Sequence, residues 1–168
     1  MKGAAFAFET PEGENLTDHW LTPPALLEAA GPFDLDPCAY QHQPWKTAAT
    51  MYSLPHQNGL LLPWHGTVFC NPPYGPEVGK WAERLALHNN GLLLVFARTE
   101  THAFRPVWKY ATAILFFYSR IHFHMPDGKA KSGGGAPSVL AAFGKQNIER
   151  LERARHWKNG AIVLDWKR

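Results

Sequence analysis

Apolar residues in this chain fall into short continuous runs separated by amphipathic stretches. Residues 92–96 are all apolar, and a run of this length is typical of a strand that is buried on both faces in a parallel sheet. Further buried strands are predicted at 67–70, 113–118 and 138–143. The stretch that follows the strand at 67–70 has an apolar stripe at helical spacing, which predicts an amphipathic helix. The stripe consists of Val78, Trp81, Ala82 and Leu85.

The remaining periodic stretches are shorter. Helices are predicted at 25–30, 101–110 and 147–158, and strands at 33–36, 50–54, 120–124 and 161–166. Strands that alternate with helices and later follow one another closely indicate an α/β domain. Its central sheet is predicted to be mostly parallel, with antiparallel strands toward the C-terminus. Only about 34 residues separate Asp36 from Asn71, whereas one βαβ unit takes about 30, so this half of the fold is predicted to be abbreviated.

Length and composition indicate one globular domain. The chain has 168 residues, of which 45% are hydrophobic and 18% charged. Residues 1–17 lack periodicity and are predicted to be a flexible segment that precedes a domain at 18–168. Cys38 and Cys70 lack CxxC spacing, so neither a zinc cage nor a disulfide framework is indicated. Without a basic leader or an apolar run of membrane length, the sequence predicts a cytoplasmic protein.

Positive charge is concentrated at the C-terminal end. Residues 145–168 carry seven Lys or Arg against three Asp or Glu, while the whole chain has a net charge of +3. This predicted basic helix and strand extension has two interpretations that the sequence leaves open. It is either a surface for nucleic-acid phosphates or a solvated helix face.

The stretch Asn71-Pro72-Pro73-Tyr74 directly follows the predicted strand at 67–70. Two prolines remove two backbone donors, so the chain must leave the sheet here as a stiff turn. Such a turn can hold the Asn71 side-chain oxygen and the Pro72 carbonyl as two converging acceptors for an exocyclic amine. Tyr74 can stack on the base that carries the amine. The simpler interpretation is a turn that only ends the strand.

Three polar segments follow predicted strands of the sheet. Asp36-Pro37-Cys38-Ala39 comes at the end of the strand at 33–36. Asn71 begins the turn after the strand at 67–70, and Arg98 follows the run at 92–96. Ligands of open α/β sheets bind beyond the carboxyl ends of the strands. We therefore expect these segments to line one site.

The Asn-Pro-Pro-Tyr turn resembles motif IV of amino-group methyltransferases that use S-adenosylmethionine. With its neighbouring blocks, the chain resembles the phage-type Dam family of DNA N6-adenine methyltransferases over residues 18–144. The blocks are Trp20-Leu21-Thr22-Pro23, Phe33 to Ala39, Asn58-Gly59-Leu60, Val68 to Gly75, Ala97-Arg98-Thr99, Ser119 to Phe123 and Ala136-Pro137-Ser138.

This resemblance implies a Rossmann-like methyltransferase fold and a direct methyl transfer to adenine N6. Asn71, Pro72, Pro73 and Tyr74 are its implied catalytic residues. S-Adenosylmethionine is the implied cofactor, and its implied contacts are Trp20, Thr22, Asp36, Pro37, Cys38, Ala39 and Asn58. Many methyltransferases have glycines in the cofactor loop so that the backbone can approach the cofactor closely, whereas this chain has Pro37-Cys38-Ala39 there.

DNA is the implied partner, either as a duplex with a flipped adenine or as a single strand in a bacterial or phage-infected cell. Candidate phosphate contacts are Arg98, Arg120, Arg153 and Arg155, and the loops at 37–57 and 126–137 are candidates for sequence readout.

Several alternatives stay open at this level. Thr22 is interpreted first as the N-cap of the helix at 25–30, and Asp36 has the alternative role of capping its own turn. The Asn71 side-chain oxygen and the Pro72 carbonyl could also bind the amine of another methyl acceptor, such as cytosine N4, an RNA base or a protein glutamine. A non-catalytic nucleic-acid-binding module on the same scaffold is a further alternative. His122 and His124 alternate on one predicted strand but lack a third metal ligand at suitable spacing, so no metal site is predicted.

Overall fold

A computed structural model of the protein describes residues 20–53, 56–75, 77–130 and 135–166. Seven strands form one sheet in the order β2-β1-β3-β4-β6-β5-β7. The strands are β1 (Leu35–Asp36), β2 (Thr50–Met51), β3 (Val68–Cys70), β4 (Gly91–Phe96), β5 (Ala113–Phe117), β6 (Ser138–Phe143) and β7 (Gly160–Leu164). The helices are α1 (Pro24–Ala30), α2 (Val78–His88), α3 (Arg105–Tyr110) and α4 (Ile148–Trp157). The predicted flexible segment 1–17 lies outside the described residues.

The directions of the strands divide the sheet into two halves. β1 pairs in parallel with both β2 and β3, and β3 pairs in parallel with β4. β6 is antiparallel to both β4 and β5, and β7 is antiparallel to β5. Because two antiparallel pairings separate β5 from β4, β5 points in the same direction as the first four strands. The carboxyl ends of five strands therefore lie on one edge of the sheet.

Side-chain alternation along the strands divides the core into two layers. On β4, Leu92 and Leu94 face a cluster that includes helices α1 and α4. Leu93 and Val95 face the opposite cluster, which includes helices α2 and α3. All four of these leucine and valine side chains are buried, as the continuous apolar run predicts for a central strand. The sheet thus lies between two helical layers.

The half of the sheet that contains β1 and β2 is short, as predicted. Each of these strands has two residues, and the described residues between β1 and β3 contain no helix. The Asp34 side chain accepts a hydrogen bond from the Thr67 backbone N–H at 2.6 Å. This bond joins the beginning of β1 to the beginning of β3 without an intervening helix.

One predicted strand is wrong. Residues 120–123 belong to no strand, and only His124 forms backbone bridges, to Leu21 and Ala130. The alternation that suggested a strand is nevertheless present, because Ile121 and Phe123 are buried and Arg120 is exposed. Burial of alternate side chains in a connecting segment does not require a ladder of backbone hydrogen bonds.

Other predicted boundaries shift by a few residues. The predicted helix at 101–110 is a 3₁₀ turn, His102–Phe104, followed by α3. The helix predicted at 147–158 is α4, with a 3₁₀ turn over Lys145–Asn147 before it. Within the described ranges, no helix is both long and apolar enough to cross a bilayer.

Two arginines of α4 stabilise the C-terminal end of α1. The Arg153 guanidinium donates to the carbonyls of Ala29, Ala30 and Gly31 at 2.9–3.2 Å. Arg150 donates to the carbonyls of Ala30 and Pro32 at 2.9 and 2.8 Å. The last carbonyls of a helix lack partners within the helix, so these bonds satisfy acceptors that burial would otherwise leave unpaired.

Replacing Arg153 with methionine is expected to lower the free energy of unfolding by about 1–3 kcal/mol, because hydrogen bonds from a charged donor to three carbonyls are lost. The matched control is Arg155→Met on the same helix. Arg155 pairs with Glu152 at 2.7 Å, and both side chains are more than 40% exposed, so its loss should cost less than about 1 kcal/mol. Urea unfolding measures both variants, and equal losses would contradict a role for Arg153 at α1.

Candidate active site

The Asn71 side chain is held by two acceptors from a distant part of the chain. Its Nδ2 donates to the Trp20 carbonyl at 2.8 Å and to Thr22 Oγ1 at 3.1 Å. Asn71 directly follows β3, and Pro72 and Pro73 end that strand. The Asn71 Oδ1 atom is buried, and no described residue donates a hydrogen bond to it.

This arrangement fixes the orientation of the Asn71 amide. A flipped amide would place Oδ1 against the Trp20 carbonyl oxygen, and two acceptors without a hydrogen between them repel each other. A buried acceptor without a partner carries a desolvation cost of about 1–3 kcal/mol. Oδ1 is therefore a preoriented acceptor that a ligand can satisfy by donating a hydrogen.

Thr22 does not cap α1, which corrects the first interpretation of this residue. The N-cap is Pro23, and the helix has no side-chain capping hydrogen bond among the described residues. Thr22 is 2% exposed, and its hydroxyl accepts from Asn71. The Trp45 indole donates to the Thr22 carbonyl at 3.1 Å. The prolines already preset the first turn, which leaves the hydroxyl available to orient Asn71.

A cavity of about 520 Å³ lies beyond the carboxyl ends of β1 and β3. It is of the size expected for a small-molecule site. The predicted site residues that line it are Trp20, Thr22, Asp36, Pro37, Cys38, Ala39, Asn71, Pro72, Pro73 and Tyr74. The structure thus brings together ten of the eleven residues predicted for catalysis and cofactor binding.

The predicted cofactor residue outside this cavity is Asn58. Its side chain is exposed and accepts from the Leu60 N–H at 3.0 Å, which forms a local turn. The next residue, Gly59, packs closely on the segment after β1, since a Cβ at Gly59 would lie 1.8 Å from the Pro37 carbonyl oxygen. A glycine is therefore required for close backbone approach here, although it belongs to the neighbouring turn rather than to the loop after β1.

Asp36 is a buried carboxyl group on the cavity wall. Its Oδ1 accepts from the Cys38 N–H at 3.0 Å, which confirms that it caps its own turn, and Oδ2 accepts from the Thr47 hydroxyl. Burial raises the pKa of Asp36 to about 6, although the bonds from Thr47 and Cys38 oppose that rise. A partly protonated acceptor in a cleft is typical of a functional site.

A polar network beside Asp36 is not predicted from the sequence. Gln43 and Thr47 also line the cavity. Gln43 Nε2 donates to the Trp45 carbonyl at 3.0 Å and to Thr47 Oγ1 at 3.3 Å. These residues lie in the irregular stretch between β1 and β2, where no periodicity distinguishes one polar residue from another.

The two cysteines lie side by side at the ends of β1 and β3. Their sulfur atoms are 3.6 Å apart, and both are free thiols. Burial, together with the neighbouring Cys70 and Asp36, raises the pKa of the Cys38 thiol. Their separation of 32 positions along the chain gave no sign of this contact. Among the residues that the structure describes, no group of three or more His, Cys, Asp or Glu converges as metal ligands.

Tyr74 packs face to face on Phe96, with ring centroids 4.1 Å apart and planes inclined by 10°. Its hydroxyl is buried, and no described residue bonds to it. Burial raises the pKa of Tyr74. The Arg98 guanidinium lies 6.0 Å from the Phe96 ring centroid. Phe96 thus connects the Asn71–Tyr74 turn to the segment that follows β4.

The candidate phosphate contacts differ in their surroundings. Arg98, Arg120 and Arg155 are exposed, and the first two follow strands whose carboxyl ends lie at the cavity edge. Arg153 instead directs its guanidinium at the end of α1. A contact between Arg153 and DNA stays an untested prediction.

The seven-stranded mixed sheet, with a cavity at its carboxyl edge, is consistent with an α/β methyltransferase-like fold. A family model described as DNA N-6-adenine-methyltransferase (Dam) matches residues 9–155. The match spans most of the chain, and the chain therefore belongs to this family, as the resemblance indicated. Membership implies methylation of adenine N6 in DNA. Searches of the curated proteins and of the solved structures find no chain similar to this one.

Protonation of Asp36 is expected to make stability depend on pH in the absence of ligand. The folded-state pKa of about 6 exceeds the ordinary value of 3.8. The stabilisation by the bound proton is therefore fully present below pH 3.8 and is lost as the pH rises through about 6.

Relative to Asp36→Asn, the wild-type protein should lose on the order of 3 kcal/mol of unfolding free energy between pH 4 and pH 7. Urea unfolding of both proteins across this range provides the measurement. A difference between them that stays constant with pH would exclude the proposed burial of a titrating carboxyl group.

Proposed function

We propose that this protein transfers a methyl group from S-adenosylmethionine to adenine N6 in DNA, within the cavity between Asp36 and Asn71. The observation that carries the proposal is the buried Asn71 Oδ1, which is oriented by its own amide and lacks a donor among the described residues. Family membership supports the acceptor base. The chemistry of the cavity supports the roles of its individual residues.

The residues of the cavity fit S-adenosylmethionine. The Asp36 carboxyl group can accept from an amino or hydroxyl group, and the Trp20, Pro37 and Ala39 side chains supply apolar surface. When bound, S-adenosylmethionine supplies a methyl group that its sulfonium charge makes susceptible to a nucleophile. We assign its binding to Trp20, Thr22, Asp36, Pro37, Cys38 and Ala39.

Asn71 and Pro72 act on the amine. Asn71 Oδ1 and the Pro72 carbonyl accept the two hydrogens of the adenine amino group, and this draws the nitrogen lone pair out of conjugation with the ring. The lone pair thereby becomes a nucleophile. The amine nitrogen would form its bond to the methyl carbon as the methyl–sulfur bond breaks, with the neutral thioether as leaving group, and the methylated nitrogen would then release one proton to solvent. No titrating base is required for the attack, since alignment and fixed dipoles supply the catalysis. The bonds from Asn71 to Trp20 and Thr22 keep Oδ1 in position before the substrate arrives.

Tyr74 provides the stacking surface for the adenine. One face of its ring is already covered by Phe96, so a base contacts the other face. A flipped base leaves its neighbours in the duplex at a cost of a few kcal/mol, and stacking on an aromatic side chain offsets about 1–3 kcal/mol of this. Phe96 therefore acts as a positioning residue for Tyr74.

DNA phosphates are assigned to the exposed arginines Arg98, Arg120 and Arg155. Side chains of this kind contact the backbone without reading sequence. Phosphate contacts make binding depend on salt, because each neutralised phosphate releases counterions.

Mass spectrometry of digested DNA tests the proposed function. The full chain is incubated with DNA and with S-adenosylmethionine that carries a deuterated methyl group. Deuterated 6-methyladenine is the expected product. N4-methylcytosine would place the amine on a different base, and unmodified DNA would refute the proposal.

Asn71→Ala is expected to reduce turnover by about 10²-fold or more, while cofactor affinity measured by calorimetry changes little. The alanine removes one of the two acceptors that hold the amine. Normal turnover in this variant would remove Asn71 from its proposed role.

The matched control is Asn89→Gly. Asn89 ends α2 with a φ of 54°, a left-handed conformation that glycine adopts without strain, and it lies at the opposite edge of the sheet. Its turnover should equal that of the wild-type protein.

A further inference from the structure

A second cavity, of about 290 Å³, lies between the end of β5 and the end of α4. We call it the flanking groove, and it is lined by Tyr118, Arg155, His156, Asn159 and Gly160. Tyr118 is 76% exposed, so packing within the protein does not account for its ring. Its backbone N–H donates to the Asn159 carbonyl at 3.0 Å, which holds the residue in place at the wall of the groove.

The flanking groove lies at the same edge of the sheet as the candidate active site. β5 points in the same direction as β3, so Tyr118 follows a carboxyl end just as Asn71 does. Three strand spacings separate β3 from β5, because β4 and β6 lie between them. At about 4.8 Å per spacing, the two sites are about 14 Å apart along the edge.

A continuous segment connects the two sites. Residues 118–124 begin at the groove, and His124 ends the segment with two backbone hydrogen bonds of 2.9 Å to Leu21. Leu21 lies between the two residues whose oxygens orient Asn71. Ile121 and Phe123 anchor the segment in the core at 2% and 0% exposure. Arg120 and His122 are exposed on its outer side.

The chemistry of this edge suits a nucleic-acid strand. Cationic side chains in the loops and helix end at this edge include Arg98, Arg120, Arg155 and Lys158, and acidic ones include Glu77, Glu100, Asp127 and Glu152. Glu77 and Asp127 pair with Lys80 and Lys129. Arg155 forms an ion pair with Glu152 at 2.7 Å. The groove itself is therefore only mildly positive. An exposed aromatic ring can stack on a base, and an arginine and a histidine beside it can donate hydrogen bonds to the phosphate of that nucleotide.

We infer that the flanking groove binds a nucleotide of the DNA strand that carries the target adenine, with its base on Tyr118 and its phosphate beside Arg155 and His156. This inference rests on the proposed function. Successive nucleotides of one strand are 3.4 Å apart in a duplex, so the bound nucleotide is about four positions from the adenine. The segment at 118–124 carries the strand between the two sites.

The test measures how binding depends on the length of the DNA. Oligonucleotides are built around a sequence that the wild-type protein methylates, with either two or eight nucleotides on each side of the adenine. Fluorescence anisotropy gives the dissociation constants for the full chain. The wild-type protein should bind the long form about 10-fold or more tightly than the short form. Part of this gain comes from the added phosphates, and the Arg155→Gln variant measures that part.

Tyr118→Ala should lose most of this preference through about 10-fold weaker binding of the long form, with the short form unaffected. Tyr118→Phe is the matched control and should keep the preference within about 2-fold, because it keeps the aromatic face. Arg155→Gln should reduce the slope of log affinity against log salt by about one for the long form only.

The outcomes separate this inference from the proposed function. If the wild-type protein methylates DNA but Tyr118→Ala keeps the full length preference, the flanking groove is not a nucleotide site and the proposed function stands. If no DNA is methylated, the same oligonucleotide lengths are compared on thymidine strands with one adenine. A length preference that depends on Tyr118 there supports the groove while refuting methyl transfer, and its absence overturns both.

Discussion

The candidate active site depends on the hydrogen bonds that hold the Asn71 side-chain amide. Its two hydrogen bonds to Trp20 and Thr22 join the segment before α1 to the turn after β3. They also decide which end of the amide has no partner among the described residues. Because Oδ1 is buried and already oriented, its desolvation is complete before any substrate binds. Such preorganisation is the usual source of electrostatic catalysis, since no dipole has to reorient during the reaction.

On the other side of the cavity a polar group is also buried before any ligand binds, and its burial lowers the stability of the folded protein. Asp36 is fully buried, and its two oxygens accept hydrogen bonds from Cys38 and Thr47. These bonds do not fully compensate for the loss of water, since the pKa of Asp36 remains raised to about 6. A carboxyl group held in this condition gains most from a ligand that donates a hydrogen bond or carries a positive charge.

The direction of the strands explains why the site and the flanking groove lie at one edge. Five strands share one direction although β6 and β7 oppose it. Loops after β1, β3, β4 and β5 therefore converge on one surface, and those loops contain the cavity, Arg98 and Tyr118. The opposite edge holds the ends of α2 and α3, where Asn89 and Ala111 close the helices.

Local order in the sequence determined most of the elements and the stiff turn at Asn71–Tyr74. Apolar runs and helical spacing located the central strands and α2, because burial on one or two faces leaves a periodic signal. The prolines after Cys70 located the turn, because they exclude a continued strand. Periodicity misplaced a strand at 120–124, since alternating burial there comes from anchoring side chains rather than from pairing.

Tertiary structure alone decided how these parts cooperate. Thr22 resembled a helix cap in sequence, yet its hydroxyl orients Asn71, 49 positions away. Gln43 and Thr47 carried no periodic signal, and the contact between Cys38 and Cys70 depends on the pairing of β1 with β3. Sequence by itself determined which segments are strands, helices and stiff turns, because these depend on neighbouring residues. Which polar atoms meet in the cavity, and which of them lack a partner among the described residues, depended on long-range packing.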